Sequence, residues 1–222
     1  MLPDAPPQGS NAQLEAIPNW FVGYRRGQVI FAEGDPSSHM YQVVSGCVRL
    51  QVNTDEGTRQ VVNFLFRGEM FGYAFDERWM SAEAVNDVVL RCWSISSILA
   101  SANRTSDILI ILARASDQQF GAAVHHLERV THLSATDRLR WFFSGLASCD
   151  GLPKADTKID LPMTHKDIAD YLGLSAETLS RSLSELEGDG FLKRVGRRRF
   201  LLGSNAQRFR WRYPGTLQIE AP

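Results

Sequence analysis

With 222 residues, the chain can form one large domain or two ordinary ones, each with a core of useful size. Hydrophobic residues make up 44% and charged residues 22%, which excludes a disordered chain, and no apolar run approaches the ~20 residues needed to cross a bilayer. The three cysteines, Cys47, Cys92 and Cys149, lie far apart with no Cys-x-x-Cys spacing, so packed, reduced thiols are expected rather than a disulfide framework or a closed zinc site.

Met1 to Ser10 is rich in proline and polar residues and lacks the basic-then-apolar pattern of a signal peptide, so a flexible lead-in and a cytoplasmic protein are expected. From about Gly27 to Ser96 the chain reads as short strands. Val48, Leu50 and Val52 alternate with Arg49 and Gln51, the period of a half-buried strand. Val29 to Phe31, Met40 to Val44, Val61 to Phe66 and Val88 to Trp93 are further apolar or β-branched runs. Turn signals at Gly34-Asp35-Pro36, Ser45-Gly46, Asp55-Glu56-Gly57 and Arg67-Gly68-Glu69 separate them, which predicts a small antiparallel barrel, roll or sandwich.

The period then changes. From Ser106 to about Ser134 there is no proline, and Leu109, Ala113, Ser116, Phe120, Ala123, Leu127 and Val130 recur at alternating steps of four and three. Ile108, Ile111, Leu112 and Ala115 add a second apolar face at the start. A helix with two apolar faces must bury one on its own domain and the other elsewhere. A core helix of a larger fold is one reading; a dimerisation helix, with Leu109, Ala113, Phe120, Ala123, Leu127 and Val130 at the interface, is the favoured one. A second helical piece, Ala135 to Ala147, precedes a loop from Ser148 to Lys158. The expected domains are therefore 1–105, a sensor-like sheet domain; 106–134, the dimer helix; and 135–222, a second domain.

The informative stretch begins at Leu161. Thr164 and Asp167 stand at capping-box spacing, with Asp where Glu or Gln is usual. The helix they open carries Ile168, Ala169 and Leu172. Gly173 stops it, and Ser175 is a good N-cap for the next. A short turn holding glycine between two helices is the unit that sets its second helix in the major groove of DNA. On that second helix Leu179, Leu183 and Leu186 form the buried stripe, while Glu177, Ser180, Arg181 and Ser184 fall opposite. Any half-buried helix has such a polar side, but Glu can accept from cytosine, Arg can pair with guanine, and both stand in the half of the helix that reaches base edges. Gly188-Asp189-Gly190 ends the helix. Phe191 to Val195, a turn through Gly196 and Phe200 to Leu202 then read as a hairpin wing.

Charge supports the same reading. Between Phe191 and Tyr213 stand Lys193, Arg194, Arg197, Arg198, Arg199, Arg208, Arg210 and Arg212, with no Asp or Glu; removing these eight positive charges from a net −1 leaves −9. A basic end on an acidic body attracts phosphate locally, although a solvated charged face would look similar.

Thr-x-x-Asp-Ile-Ala-x-x-Leu-Gly-Leu-Ser-x-Glu-Thr-Leu-Ser-Arg-x-Leu, ending in Gly-Phe-Leu, closely resembles the winged helix of the Crp/Fnr superfamily of bacterial transcription regulators. Gly27-Gln-Val-Ile-Phe-x-Glu-Gly-Asp35, Met40-Tyr-x-Val-Val-Ser-Gly46 and Gly68-Glu-x-Phe-Gly72 resemble its N-terminal β-roll, and the long helix its dimer helix. The resemblance implies an α+β fold: a cyclic-nucleotide-binding-like roll, a long dimerisation helix and a C-terminal winged helix-turn-helix. Glu177-x-x-Ser180-Arg181 resembles the Fnr/FixK type of recognition helix, which implies TTGAT-like half-sites in an inverted repeat, ~10 bp apart, read by a homodimer. Thr164, His165, Ser175, Glu177, Thr178, Ser180, Arg181, Arg197 and Arg198 are the implied DNA contacts, and RNA polymerase is an implied partner.

Departures from the family pattern limit what else is expected. Cyclic-nucleotide-binding members carry Glu just after the last glycine of the roll and Arg about ten residues on; here Tyr73 follows Gly72, Trp79-Met80-Ser81-Ala82 fills the second region, and Arg78 lies nearby. Without a positive fork a buried cyclic phosphate is left uncompensated. Residues 1–46 contain no cysteine for an iron–sulfur cluster. His39, His125, His126 and His132 are read as packed or solvated rather than as haem ligands. No cofactor and no metal are expected. An effector-dependent sensor of the same family, taking haem or another small ligand, is the alternative, with Tyr73, Met80 and Ser81 as its pocket. No nucleophile elbow, phosphate-cradling loop or His-Glu-x-x-His suggests an enzyme, and the basic wing argues against a winged helix that binds protein.

Overall fold

The computed structural model describes residues 12–53, 57–74, 76–147 and 155–208. The lead-in, the turn residues Asp55 and Glu56, Cys149, Arg210 and Arg212 lie outside them, as do the side chain of Arg208 and most of the Ser148–Lys158 loop. By their contacts the described residues form two compact units: those up to Leu112 together with Pro162–Tyr171, and Ala113–Leu161 together with those from Leu172 onward.

The first unit is an antiparallel β-roll. A short α1 (Ala12–Glu15) leads to β1 (Trp20–Tyr24), β2 (Val29–Phe31), β3 (His39–Ser45), β4 (Val48–Asn53), β5 (Arg59–Leu65), β6 (Met70–Phe71), β7 (Ser81–Ala84) and β8 (Val88–Ser94). One sheet runs β1-β8-β3-β6 and the other β2-β7-β4-β5. All five sequence-predicted strands form, and β1, β6 and β7 join them. Phe31, Tyr41, Val43, Leu50, Phe71 and Leu90 fill the space between the sheets. At about 1.5–3 kcal/mol for each fully buried large side chain, this cluster is the main source of the roll's stability. A second cluster gathers Leu14, Ile17, Met40, Trp93 and Ile98 with Ile108 and Leu112 of the long helix, and the Trp93 indole donates to Leu14 O at 2.9 Å. Cys47 and Cys92 are buried in the roll; burial pushes the Cys47 thiol well up and that of Cys92 to about 11, so both pack as inert thiols.

Strand β4 departs from its expected half-buried alternation. Arg49 is buried along with its apolar neighbours Val48 and Leu50. Its guanidinium meets Glu83 of β7 at 2.9 Å and, at 2.5 Å, Asp167 of a helix in the 162–171 segment. A polar position reads as outward-facing in sequence, yet an ion pair makes its burial tolerable.

Helix α2 (Ile95–Ala102) is capped by Ser94, which accepts the Ser97 N–H; α3 (Ser106–His132) follows and runs unbroken through Gly121. In α3, Ile108 and Leu112 are buried, while Leu109, Phe120 and Leu127 are 53%, 71% and 65% exposed. The two faces read from sequence are thus one covered and one open. The second unit continues with α4 (Ala135–Ala147), β9 (Lys158–Asp160), α6 (Ala176–Gly188), β10 (Leu192–Gly196) and β11 (Arg199–Leu202), while α5 (His165–Leu172) lies almost wholly in the first unit. Its sheet runs β10-β11-β9, so the expected two-stranded wing has a third strand, which begins at Lys158, the last residue of the expected loop. Phe143 of α4 packs edge-on against Phe200 of β11, ring centroids 5.0 Å apart.

Candidate nucleic-acid interface

Helix α5 begins with a reciprocal cap. The Thr164 N–H and hydroxyl both donate to Asp167 Oδ2, at 2.9 and 2.7 Å, and the Asp167 N–H donates back to the Thr164 hydroxyl at 3.2 Å. Aspartate therefore closes the box as glutamate usually does. The same carboxylate accepts Arg49 and, at 2.8 Å, Arg59. Arg59 also pairs with Asp170, and the Tyr171 ring stands edge-on to Phe64, centroids 5.4 Å apart. Burial alone would push the Asp167 carboxyl up. The Thr164 donors and the two guanidiniums outweigh it and hold the group below its usual range.

Gly173 follows α5 at φ +64°, a left-handed position that ends a helix with least strain in glycine. The carbonyl of Leu172, left over at the helix end, accepts Arg138 of α4 at 3.0 Å. Ser175 then caps α6, accepting the Thr178 N–H at 3.1 Å, and its hydroxyl lies 2.9 Å from that of Thr178. Such a cap contributes about 1 kcal/mol.

The faces of α6 are sorted as its sequence predicts. Leu179, Leu183 and Leu186 are buried, Ser182 with them. Thr136 of α4 bonds Ser182 at 3.2 Å and Glu185 at 2.7 Å, which fixes the rotation of α6 about its axis. Glu177, Ser180, Arg181 and Ser184 are exposed. Glu177 Oε1 and Arg181 Nη2 are 3.8 Å apart, one turn from each other, with side chains 82% and 72% exposed. Two opposite charges on one open face, beside hydroxyls, can meet hydrogen-bonding edges of either polarity.

In the wing, Arg194 is held by Glu187 at 3.0 Å and Arg199 by Asp160 at 2.8 Å. Lys193 and Arg197 are exposed and Arg198 is half-buried at the turn between β10 and β11. Thr164 and His165 are half-buried at the start of α5.

The other sequence-predicted sites are more dispersed. Tyr73 packs against the Met40–Trp93 cluster and Met80 against the inter-sheet cluster, while the Ser81 hydroxyl accepts the Glu33 N–H at 3.0 Å. His39 stands edge-on to Trp20 and beside the Ser38 hydroxyl, His125 pairs with Glu128, His126 lies by Trp141, and His132 is exposed. Along α3, Leu109, Ala113, Phe120, Ala123 and Leu127 are exposed and Val130 is half-buried. The ion cluster of Arg49, Arg59, Asp167 and Asp170 has no signal in the sequence, where nothing local couples strands β4 and β5 to a helix about 110 residues away.

A β-roll, a long helix and a winged helix with an open polar recognition face together define a DNA-binding regulator. Residues 21–104 match the cyclic nucleotide-binding domain model and residues 137–206 the Crp-like helix-turn-helix domain model. The chain is 34% identical over 194 residues to the nitrogen fixation regulation protein FixK of Azorhizobium caulinodans, covering 86% of this chain and 78% of that one. It is 33% identical over 171 residues to FixK of Rhizobium meliloti, covering 77% and 76%. The fold matches the structure of FixK2 from Bradyrhizobium japonicum with a TM-score of 0.79 and 31% identity, over 86% of this chain and 96% of that one. The chain belongs to the Crp/Fnr family of transcription regulators, on its Fnr/FixK branch. Among the described residues, no helix is long and apolar enough to cross a membrane.

Proposed function

We propose that this regulator binds an inverted repeat of TTGAT-like half-sites as a homodimer, in the cytoplasm, without a diffusible effector. Glu177, Ser180 and Arg181 read bases. Thr164, His165, Ser175 and Thr178 make further contacts to DNA, and Arg197 and Arg198 on the wing hold phosphates, which adds affinity and register but little sequence information. Two copies meet through Leu109, Ala113, Phe120, Ala123, Leu127 and Val130, and the bound dimer engages RNA polymerase. Residues 1–105 then act as the roll, 106–134 as the dimer helix and 135–222 as the DNA-binding part.

The observation that carries this reading is the open face of α6, where Glu177 and Arg181 stand one turn apart and exposed beside Ser180. The test is fluorescence-anisotropy titration of the purified, untreated protein with a TTGAT-N4-ATCAA duplex beside a scrambled duplex, at ~150 mM salt because affinity depends on it. Tight binding to the first alone is expected. Equal, weak binding to both would overturn effector independence and favour the ligand-dependent alternative.

A further inference from the structure

Arg78 is 4% exposed, yet no carboxylate among the described residues forms an ion pair with it. Its Nη1 donates to Gly72 O at 2.6 Å and its Nη2 to His39 O at 2.9 Å. The guanidinium carbon stands 3.8 Å from the ring centre of Phe31 and 5.6 Å from that of Tyr41. Phe31, Tyr41 and Phe71 form a contiguous aromatic floor, with Tyr41 and Phe71 stacked at 5.3 Å. Asp35 acts on the cation through space, while its Oδ2 accepts the Ala32 N–H. Two carbonyl dipoles and the negative faces of aromatic rings are what a planar cation needs in a dry place.

The rest of the surroundings is shaped to the guanidinium. Gly72 sits at φ +82°, and a Cβ there would meet Arg78 Nη1 at 2.8 Å and the Tyr41 ring at 2.8 Å. Gly72 O also accepts the Ser37 hydroxyl at 3.3 Å, which in turn accepts the Ala74 N–H at 3.0 Å. The Arg78 backbone bonds to Asp35 O and Gly34 N, and Pro36 and Glu77 form a bridge. The link between β6 and β7 is thus tied to the β2–β3 turn from both backbone and side chain. A Leu or Met could fill such a volume without the desolvation that a buried cation suffers, so the guanidinium's presence calls for a role in its charge and shape.

We propose that the site formed by Gly72 O, His39 O and the Phe31 ring is a binding site for planar cations of the guanidinium class, and that Arg78 is its built-in ligand, ordering the segment between β6 and β7 without a diffusing one. The inference deepens the effector-independent reading above and rests on it for its regulatory meaning; the site itself does not.

The experiment is chemical rescue in the full chain. Arg78→Ala removes the ligand and leaves a cavity of ethylguanidinium shape. Its thermal midpoint is expected to fall by about 5–10 °C, in proportion to lost stability for a chain of this size. Ethylguanidinium at ~20 mM should restore most of that loss by mass action and leave the parent unchanged, while ethylammonium should not. A midpoint equal to the parent's, or rescue by neither cation or by both alike, overturns the proposal. Should Arg78→Ala fail to fold, the folded parent still decides. Its Arg78 guanidinium, assigned by comparison with Arg78→Lys, is expected to give separate, slowly exchanging Nη–H signals in the ¹⁵N spectrum, and averaged signals overturn the proposal. The duplex titration of the parent is read separately. Failure there would remove the regulator reading while thermal rescue still established the site.

Discussion

Arg49 of strand β4 and Asp167 of helix α5 stand 118 positions apart in the chain and meet in a buried ion pair, Nη1 to Oδ1 at 2.5 Å. Arg49 has side-chain exposure of 9% and Asp167 of 6%, so neither charge is offset by water. Glu83 at 2.9 Å and Gln51 at 2.8 Å complete the arginine's partners, and Thr164 and Arg59 complete the aspartate's. The cost of burying each charge is met only while the set is whole.

Arg49→Ala should therefore destabilise the protein by about 3–5 kcal/mol, because it leaves the buried Asp167 and the half-buried Glu83 each short of a partner. Denaturant unfolding should show the loss as a lowered midpoint. In a double-mutant cycle, Arg49→Met with Asp167→Leu should cost less than the sum of the single changes, and strict additivity would show that the pair does not couple.

Acid should act through the same carboxylate. Asp167 is held below its usual range in the folded state, so the stability it contributes is fully present above its unfolded value of about 3.9 and disappears as pH falls through the lower folded value. Unfolding free energy measured between pH 6 and pH 2 should drop on its acid limb, and Asp167→Asn should be less stable at neutral pH with a flatter acid limb. An unchanged slope would assign acid sensitivity to other groups.

On DNA, Arg181→Ala is expected to cost about 1–3 kcal/mol on a TTGAT-type duplex and to relax discrimination at one base pair per half-site. A panel of single-base variants titrated against parent and mutant reads both effects. Equal affinity of the mutant for every duplex, at the parent's level, would remove Arg181 from base reading.

Wing substitutions should look different. Arg197→Ala or Arg198→Ala is expected to weaken all duplexes alike and to reduce the slope of log K against log salt by about one for each phosphate no longer neutralised. Loss confined to one sequence would mean that the wing reads bases.

Leu127→Glu places a charge on the exposed apolar face of α3, where Leu127 is 65% exposed in the single chain. Sedimentation should then report monomers, and tight operator binding should fail. A dimer that survives the change would move the interface elsewhere.

Where residues repeat a helical period or a cap in the second unit, sequence and structure agree. Helix α4 runs Ala135–Ala147 as read, Ser175 caps α6, and Leu179, Leu183 and Leu186 are its buried stripe. The strands that escape such a reading, β1, β6, β7 and β9, are short or weakly patterned. Ser81–Ala84 reads Ser-Ala-Glu-Ala and becomes β7 only because β2 and β4 flank it. Arg49 defeats the pattern for a related reason: alternation identifies which side of a strand a residue faces, and says nothing about a helix that arrives from 118 positions away to cover that side. Arg78 is equally illegible, since backbone carbonyls and an aromatic floor leave no pattern in a sequence.

The hold on α5 is also electrically silent. Arg49, Arg59 and Lys166 meet Glu83, Asp167 and Asp170, three cations against three carboxylates. Seen from more than a Debye length away, about 8 Å in physiological salt, such a cluster is nearly invisible. The acidic residues Asp167 and Asp170 of α5 thus contribute almost no far field of their own, whatever charge approaches that helix.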